Sequence, residues 1–137
     1  PERPWRFTGA PRPADWDARL PAAVAAVRTV TQDGKRLVRH GGDVVVHDTA
    51  EGIDAICRVG APFHAAGCAA TGRIDVLLLP SRGIGPDLYS TALLHELCHL
   101  GLERGGGMFG GPVIPSDEAT TDACGAAAAA LSRETAP

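Results

Sequence analysis

The chain has 137 residues, a formal net charge of -3 and a pI near 5.9. This length predicts one domain, residues 1–137, with room for a core but not for a second domain. The charge gives no electrostatic reason to expect nucleic acid or an anionic membrane as a partner. No apolar run approaches the length of a membrane span, so we also expect no transmembrane segment.

The chain begins at Pro1, without a methionine and without a segment of signal-peptide type. We therefore expect a processed or trimmed form of the protein. In its first part, residues 1–13 are rich in proline and arginine and predict an irregular arm, with Trp5 and Phe7 as anchors. Apolar residues then recur at helical spacing and predict an amphipathic helix over about residues 14–31.

The glycine pair Gly41-Gly42 is typical of a β-hairpin, which would join residues 35–40 to residues 43–48. Three consecutive valines in the second arm suit a strand that is buried on both faces. On such strands, His40 and His47 are expected to point to solvent or to a partner.

The middle of the chain is less regular. Residues 50–70 fit either an irregular edge strand or a loop closed by a disulfide. Residues 73–79, with the sequence RIDVLLL, predict a strand. Gly83, Gly85 and Pro86 then break the chain before the next helix.

Two helices are predicted in the last third of the chain. The first covers residues 87–104, with Asp87 as its N-cap, and its leucines make it apolar on most sides, as in a buried helix. A flexible glycine-rich connector follows. The second helix covers about residues 116–134, with Ser116 as its N-cap.

The four cysteines are an even set without the CxxC spacing of a thiolate zinc site. They favour a secreted chain with two disulfides over a cytosolic chain with free thiols. Pairing Cys57 with Cys68 would close a short loop and contribute about 3 kcal/mol in the chain-entropy model. Cys98 would then remain for Cys124, as a link between the last two helices, with a simple buried thiol at Cys98 as the alternative.

The first of these helices contains the motif His95-Glu96-Leu97-Cys98-His99. Two histidines four residues apart on a helix lie about 40° apart around its axis, so both imidazoles can reach one metal ion. This is the HExxH pattern, in which the histidines bind zinc and the glutamate is the general base. The alternative, a pair of core histidines, would bury polar groups at a cost that no metal offsets.

Glu118 follows His99 by 19 positions, and Asp122 lies one helical turn further on. Acidic residues in a first helical turn also complement the helix dipole, so Asp117 and Glu118 have a purely structural interpretation as well. HExxH followed by Glu-x-x-x-Asp resembles the zinc site of the gluzincin metallopeptidases, the thermolysin-like clan, in a minimal single-domain form. The resemblance implies three zinc ligands, His95, His99 and Glu118, and a supporting carboxylate, Asp122, with Asp117 as the alternative third ligand.

The rival metzincin pattern HExxHxxGxxH/D does not fit the chain. Leu102 stands at its glycine position and Gly105 at its third-ligand position. Without that ligand, Met108 is more simply a loop or core residue than part of a Met-turn.

By resemblance, the fold would be α+β and zincin-like, with a small twisted mixed β-sheet packed on a backing helix, an active-site helix and a C-terminal glutamate helix. The activity would be that of a zinc endopeptidase in which Glu96 activates a zinc-bound water. A second donor to the oxyanion is usual in the clan, and His64 is the first candidate, followed by Arg82 and Tyr89. The substrate would be a peptide bound in extended form along the edge strand of a secreted monomer.

Two other functions use the same residues. One is a binding or regulatory module that holds zinc and has little or no proteolytic turnover. The other is a metal-dependent hydrolase of a non-peptide amide.

Overall fold

The computed structural model describes residues 5–9, 16–32, 41–58, 67–70, 72–77, 92–105, 113–114 and 116–135. The helices in this part are α1 (Trp16–Thr31), α2 (Ala50–Cys57), α3 (Ala92–Leu102) and α4 (Glu118–Thr135). The strands are β1 (Arg6–Gly9), β2 (Asp43–His47), β3 (Gly67–Ala70), β4 (Arg73–Leu77), β5 (Arg104–Gly105) and β6 (Val113–Ile114). The predicted combination of helices with a small mixed sheet is confirmed.

The main sheet has the strand order β1-β2-β4-β3, and β5 and β6 form a separate antiparallel pair. Strands β1, β2 and β4 are parallel, whereas β3 runs antiparallel to β4 at one edge. Parallel neighbours cannot be joined by a tight turn, and α1 provides the crossover between β1 and β2. In β2, Val44 and Val46 are buried in the core while Val45 is only half-buried. The prediction that this strand is buried on both faces is therefore correct for the face of Val44 and Val46 and wrong for the face of Val45.

The segment expected to be an irregular arm contains β1. Arg6 stands opposite Asp43 in the parallel pair, and Arg6 Nε lies 3.1 Å from Asp43 Oδ1. Trp5 and Phe7 pack against the core, as predicted for anchors. The strand was missed because pairing with a distant parallel neighbour leaves little local signal in a segment rich in proline and arginine.

The hairpin prediction is wrong for β2. Both edges of this strand are occupied by parallel neighbours, β1 and β4. The expected first arm, residues 35–40, lies outside the described residues. Gly42 instead permits a close approach of two backbones: a Cβ there would overlap the carbonyl of Gly72, and the Asp43 N–H donates to that carbonyl at 3.0 Å.

Helices α1, α3 and α4 pack against one another, and α3 also contacts β3 and β4. Helix α3 ends at Leu102 rather than at the predicted Arg104, which starts β5. Full burial of a leucine contributes about 2 kcal/mol, so the buried side of α3 stabilises the packing of this layer. Its buried leucines are Leu93, Leu94, Leu97 and Leu100, and α1 adds Leu20, Val24 and Val27.

The other side of the sheet carries α2, which contacts β2, β3 and β4. Thr49 caps this helix by accepting the Gly52 N–H at 3.1 Å, and Ile53 is fully buried. The segment left open by the sequence thus holds a helix and then an edge strand, with Cys57 at the end of α2 bonded to Cys68 on β3. Among the described helices, none combines the length and hydrophobicity needed to span a membrane.

Candidate metal centre

Helices α3 and α4 lie side by side. Of the residues expected at the metal site, α3 carries His95, Glu96 and His99, and α4 carries Glu118 and Asp122. A disulfide joins Cys98 on α3 to Cys124 on α4, and both residues are buried. Together with Cys57–Cys68 it confirms the predicted pairing, and Cys98 is not a free thiol. The link fixes the two helices next to each other close to the site, because Cys98 directly precedes His99.

Three side chains converge between these helices. The Nε2 atoms of His95 and His99 are 3.1 Å apart. Glu118 places Oε2 3.1 Å from His95 Nε2 and Oε1 3.1 Å from His99 Nε2. One ligand atom from each of the three lies within 4.8 Å of the others, so this cluster could hold a metal ion.

Exposure differs between the members of the cluster. The Glu118 side chain is 72% exposed, whereas His95 is 22% and His99 19% exposed. The site is therefore open to solvent on the side of α4's first turn and closed on the side of α3. Burial lowers the pKa of His99, with a further decrease from neighbouring His95, so its imidazole is neutral at neutral pH.

The outward ring nitrogens have separate partners. His95 Nδ1 lies 2.9 Å from Asp122 Oδ1, and an ionised carboxylate can only accept, so this nitrogen carries the proton. In the neutral form of the ring, which is the form that binds a metal, the lone pair of His95 is then on Nε2 and faces the cluster. His99 Nδ1 lies 3.0 Å from the hydroxyl of Ser116. Two imidazoles whose outer nitrogens are hydrogen-bonded, together with a carboxylate, are a donor set that zinc takes, so these residues fit that metal.

The start of α4 differs from the prediction. Asp117, not Ser116, is the N-cap: its Oδ1 accepts the Thr120 N–H and its Oδ2 accepts the Thr120 hydroxyl, both at 2.8 Å. These hydrogen bonds lower the pKa of Asp117. Asp117 is thus engaged with Thr120, and of these two adjacent acidic residues it is Glu118 that reaches both histidines. Sequence reasoning gave Ser116 the role of cap and so missed its contact with His99.

Glu96 lies between α3 and the edge strand β3. Its side chain is buried, with 4% of the residue exposed, and this burial raises its pKa to about 8, with a contribution from the charge of Glu118. A Cβ at Gly67 on β3 would lie 3.1 Å from Glu96 Oε1, so strand and carboxylate are in direct contact. The candidate general base is thus placed beside the edge strand and electrostatically close to the cluster.

His47 does not point to solvent. Its Nε2 lies 2.7 Å from Asp75 Oδ2, and Arg73 Nε donates to Asp75 Oδ1 at 2.7 Å. Burial opposes ionisation of Asp75, but the hydrogen bonds from Arg73 and His47 outweigh it, so the pKa of Asp75 is lowered. This network ties β2 to β4 on the side that carries α2. The other predicted candidates, His64, Arg82, Tyr89, Met108 and His40, lie outside the described residues.

No protein-family model matches the chain, and searches of curated proteins and of solved structures found no significant similarity. The resemblance to gluzincins therefore depends on the motif residues and on their arrangement in this chain alone.

Proposed function

We propose that the protein is a zinc-dependent metallopeptidase with a zincin-like, gluzincin-type site. The observation that carries the proposal is the convergence of two histidine Nε2 atoms and the Glu118 carboxylate, each pair 3.1 Å apart. In the neutral form that binds a metal, both rings direct their Nε2 lone pairs at one another and at the Glu118 carboxylate, and a cation between them would offset the resulting repulsion. Three protein ligands leave a fourth position open, which is characteristic of catalytic rather than structural zinc.

When bound, zinc supplies Lewis acidity that polarises a substrate carbonyl and lowers the pKa of a water molecule. The chain's own contribution would be the Glu96 carboxylate, which would accept a proton at an ε oxygen from the water that attacks the peptide carbonyl and would pass it to the amine released when the C–N bond breaks. In the metal-free chain, burial and the charge of Glu118 raise the pKa of Glu96 to about 8, and a cation bound at the neighbouring cluster would lower that pKa toward the ionised form that a general base requires. Burial against β3 limits the positions that the carboxylate can take.

The proposed substrate is a peptide in extended form. Strand β3 is an edge of the main sheet and contacts Glu96 through Gly67. A peptide added to this edge would be hydrogen-bonded by its main chain and would run beside the candidate general base. The two disulfides suit an oxidising compartment, so the proposed location is outside the cell. The proposed oligomeric state is a monomer.

The decisive experiment measures zinc per chain by elemental analysis in wild type, His95→Ala and Glu118→Gln. We expect one zinc in wild type and a loss or strong weakening in both variants. Asp117→Asn is the matched control, because it changes the adjacent acidic residue, whose carboxylate is bonded to Thr120. Full zinc affinity in Glu118→Gln would contradict the gluzincin-type site, and no zinc in reconstituted wild type would contradict the whole proposal.

Activity is tested on a peptide library with wild type and Glu96→Gln at matched zinc content. We expect wild type to cleave and the variant to lose cleavage while keeping its zinc, because Glu96 is not a ligand. Zinc binding without turnover in wild type would instead favour the binding or regulatory module.

A further inference from the structure

A chain of hydrogen bonds runs from His99 into the first turn of α4. His99 Nδ1 lies 3.0 Å from Ser116 Oγ, which lies 2.6 Å from Thr121 Oγ1. The Thr121 hydroxyl in turn donates to the backbone carbonyl of Asp117 at 2.7 Å. Thr121 is fully buried, and neither hydroxyl belongs to the metal-ligand set.

The direction of every bond follows from the carbonyl at the end of the chain. A carbonyl has no proton, so the Thr121 hydroxyl must donate to it. Thr121 Oγ1 then accepts the Ser116 proton, and Ser116 Oγ accepts from His99. If all the bonds ran in the opposite direction, Thr121 Oγ1 and the Asp117 carbonyl oxygen would lie 2.7 Å apart with no proton between them. His99 therefore carries a proton at Nδ1, and in its neutral form the lone pair is at Nε2.

We propose that Ser116 and Thr121 are positioning residues that hold His99 in its Nδ1-protonated tautomer. The part that concerns metal affinity rests on the proposed function, whereas the tautomer does not. The two histidines would thus be prepared in different ways: His95 by the exposed carboxylate of Asp122, and His99 by a neutral pair of hydroxyls. A hydroxyl suits the position of Thr121, because an ionised carboxylate would be costly to bury there.

The tautomer is measured by long-range ¹H–¹⁵N NMR correlations in metal-free, mildly alkaline protein, with His99→Gln identifying the resonances. We expect the Nδ1–H form in wild type. In Thr121→Val, the Ser116 hydroxyl loses its acceptor and can turn to donate to His99 Nδ1, so the population should move to the Nε2–H form. Thr121→Ser keeps the hydroxyl and should keep the wild-type tautomer.

Ser116→Ala provides a second variant in case Thr121→Val does not fold. Thr121 Oγ1, 3.5 Å from His99 Nδ1, is then the remaining and more distant acceptor, so the preference for Nδ1–H should weaken. In each variant that loses the tautomer, we expect zinc affinity to fall roughly tenfold, the lower end for loss of a partner of a metal ligand. An unchanged tautomer in Thr121→Val or Ser116→Ala would overturn the inference. If wild type bound no zinc, the proposed function would fail, and the tautomer measurement would still decide the role of the two hydroxyls.

Discussion

Gly67 on β3 and Glu96 on α3 are packed so closely that a Cβ at Gly67 would lie 3.1 Å from both Cγ and Oε1 of the glutamate. The missing side chain leaves the space that the Glu96 carboxylate occupies. Since Glu96 is buried between strand and helix, it has little freedom to move aside. The position of the candidate general base therefore depends on a glycine that is distant in sequence.

Replacement of this glycine should impair hydrolysis more than metal binding. In Gly67→Ala, the new methyl group displaces Glu96, and displacement of a catalytic group lowers turnover by on the order of 10–100-fold. The three ligands lie on α3 and α4, so we expect zinc content to stay at one per chain. Peptide hydrolysis, zinc content and urea unfolding would be measured together, because the methyl would also come within 2.9 Å of the Asp75 carbonyl and strain the sheet.

Gly125→Ala is the matched control for that substitution. A Cβ at Gly125 would lie 3.5 Å from His95 Cα, an ordinary van der Waals contact. Gly125 lies within α4, where alanine is favoured over glycine by up to about 1 kcal/mol. We expect higher stability with unchanged hydrolysis, and equal hydrolysis by Gly67→Ala and Gly125→Ala would contradict the placement of Glu96.

A second prediction concerns the stability of the sheet. The Asp75 side chain is buried and bonded to His47 and Arg73. In Asp75→Asn the charge is lost, and the free energy of unfolding at neutral pH should fall by about 1–2 kcal/mol, in the lower part of the range for charged hydrogen bonds because Arg73 is partly exposed and screened by solvent. Asp43→Asn is the control, since its partner Arg6 is largely exposed and the pair should contribute less than about 1 kcal/mol.

Asp75 should also make the free energy of unfolding depend on pH. The folded-state pKa of Asp75 is lowered from 3.8, so the unfolded chain takes up this proton first as the solution is acidified. The stabilisation is complete above pH 3.8 and is lost as the pH falls below it toward the folded-state value. Urea-unfolding curves at several pH values should show wild type and Asp75→Asn converging in this acidic range. A constant difference between them would contradict the prediction.

Part of the site could be predicted because helical spacing is a local property. His95 and His99 are one turn apart on a single helix, and Glu118 and Asp122 are one turn apart on another, so each pair follows from sequence alone. The contact of Glu118 with both histidines needed the packing of α3 on α4, which here includes the Cys98–Cys124 disulfide.

Other features depend on contacts between distant segments and left no such pattern. Ser116 and Asp117 are both good N-cap residues, and their roles are separated by the hydrogen bonds of Asp117 with Thr120 and of Ser116 with His99. Strand β1 depends on parallel pairing with β2 across the whole of α1. Helix α2, by contrast, had a local signal. Thr49 directly precedes it and is of the residue type that caps helix N-termini, as its bond with the Gly52 N–H shows.

The two disulfides should have separable effects. Removing Cys98–Cys124, with a sequence separation of 26, should cost about 3.5 kcal/mol in the chain-entropy model, against about 2.8 kcal/mol for Cys57–Cys68 with a separation of 11. Only the former joins the ligand-bearing helices, so only the Cys98→Ala/Cys124→Ala protein should also bind zinc more weakly. Thermal unfolding and zinc titration of the two double variants test this. Equal zinc affinities would show that helix packing alone sets the distance from Glu118 to the histidines.

The last prediction separates the roles of two aspartates in the first turns of α4. Asp122 accepts from His95 Nδ1 at 2.9 Å, so Asp122→Asn should weaken zinc binding roughly tenfold through the orientation and basicity of that imidazole. Its side chain is largely exposed, so little change in the stability of the metal-free protein is expected. Asp117→Ala should do the reverse.

Asparagine is itself a good N-cap residue, so Asp117→Asn keeps the bond to the Thr120 N–H and should leave stability within about 1 kcal/mol of wild type and zinc affinity unchanged. Asp117→Ala removes the cap and should cost about 1 kcal/mol, again without a change in zinc affinity. Isothermal titration with zinc and urea unfolding of all three variants give the comparison. If Asp117→Ala weakened zinc binding as much as Asp122→Asn does, zinc affinity would depend on an ordered start of α4. That outcome would contradict a specific role of Asp122 toward His95.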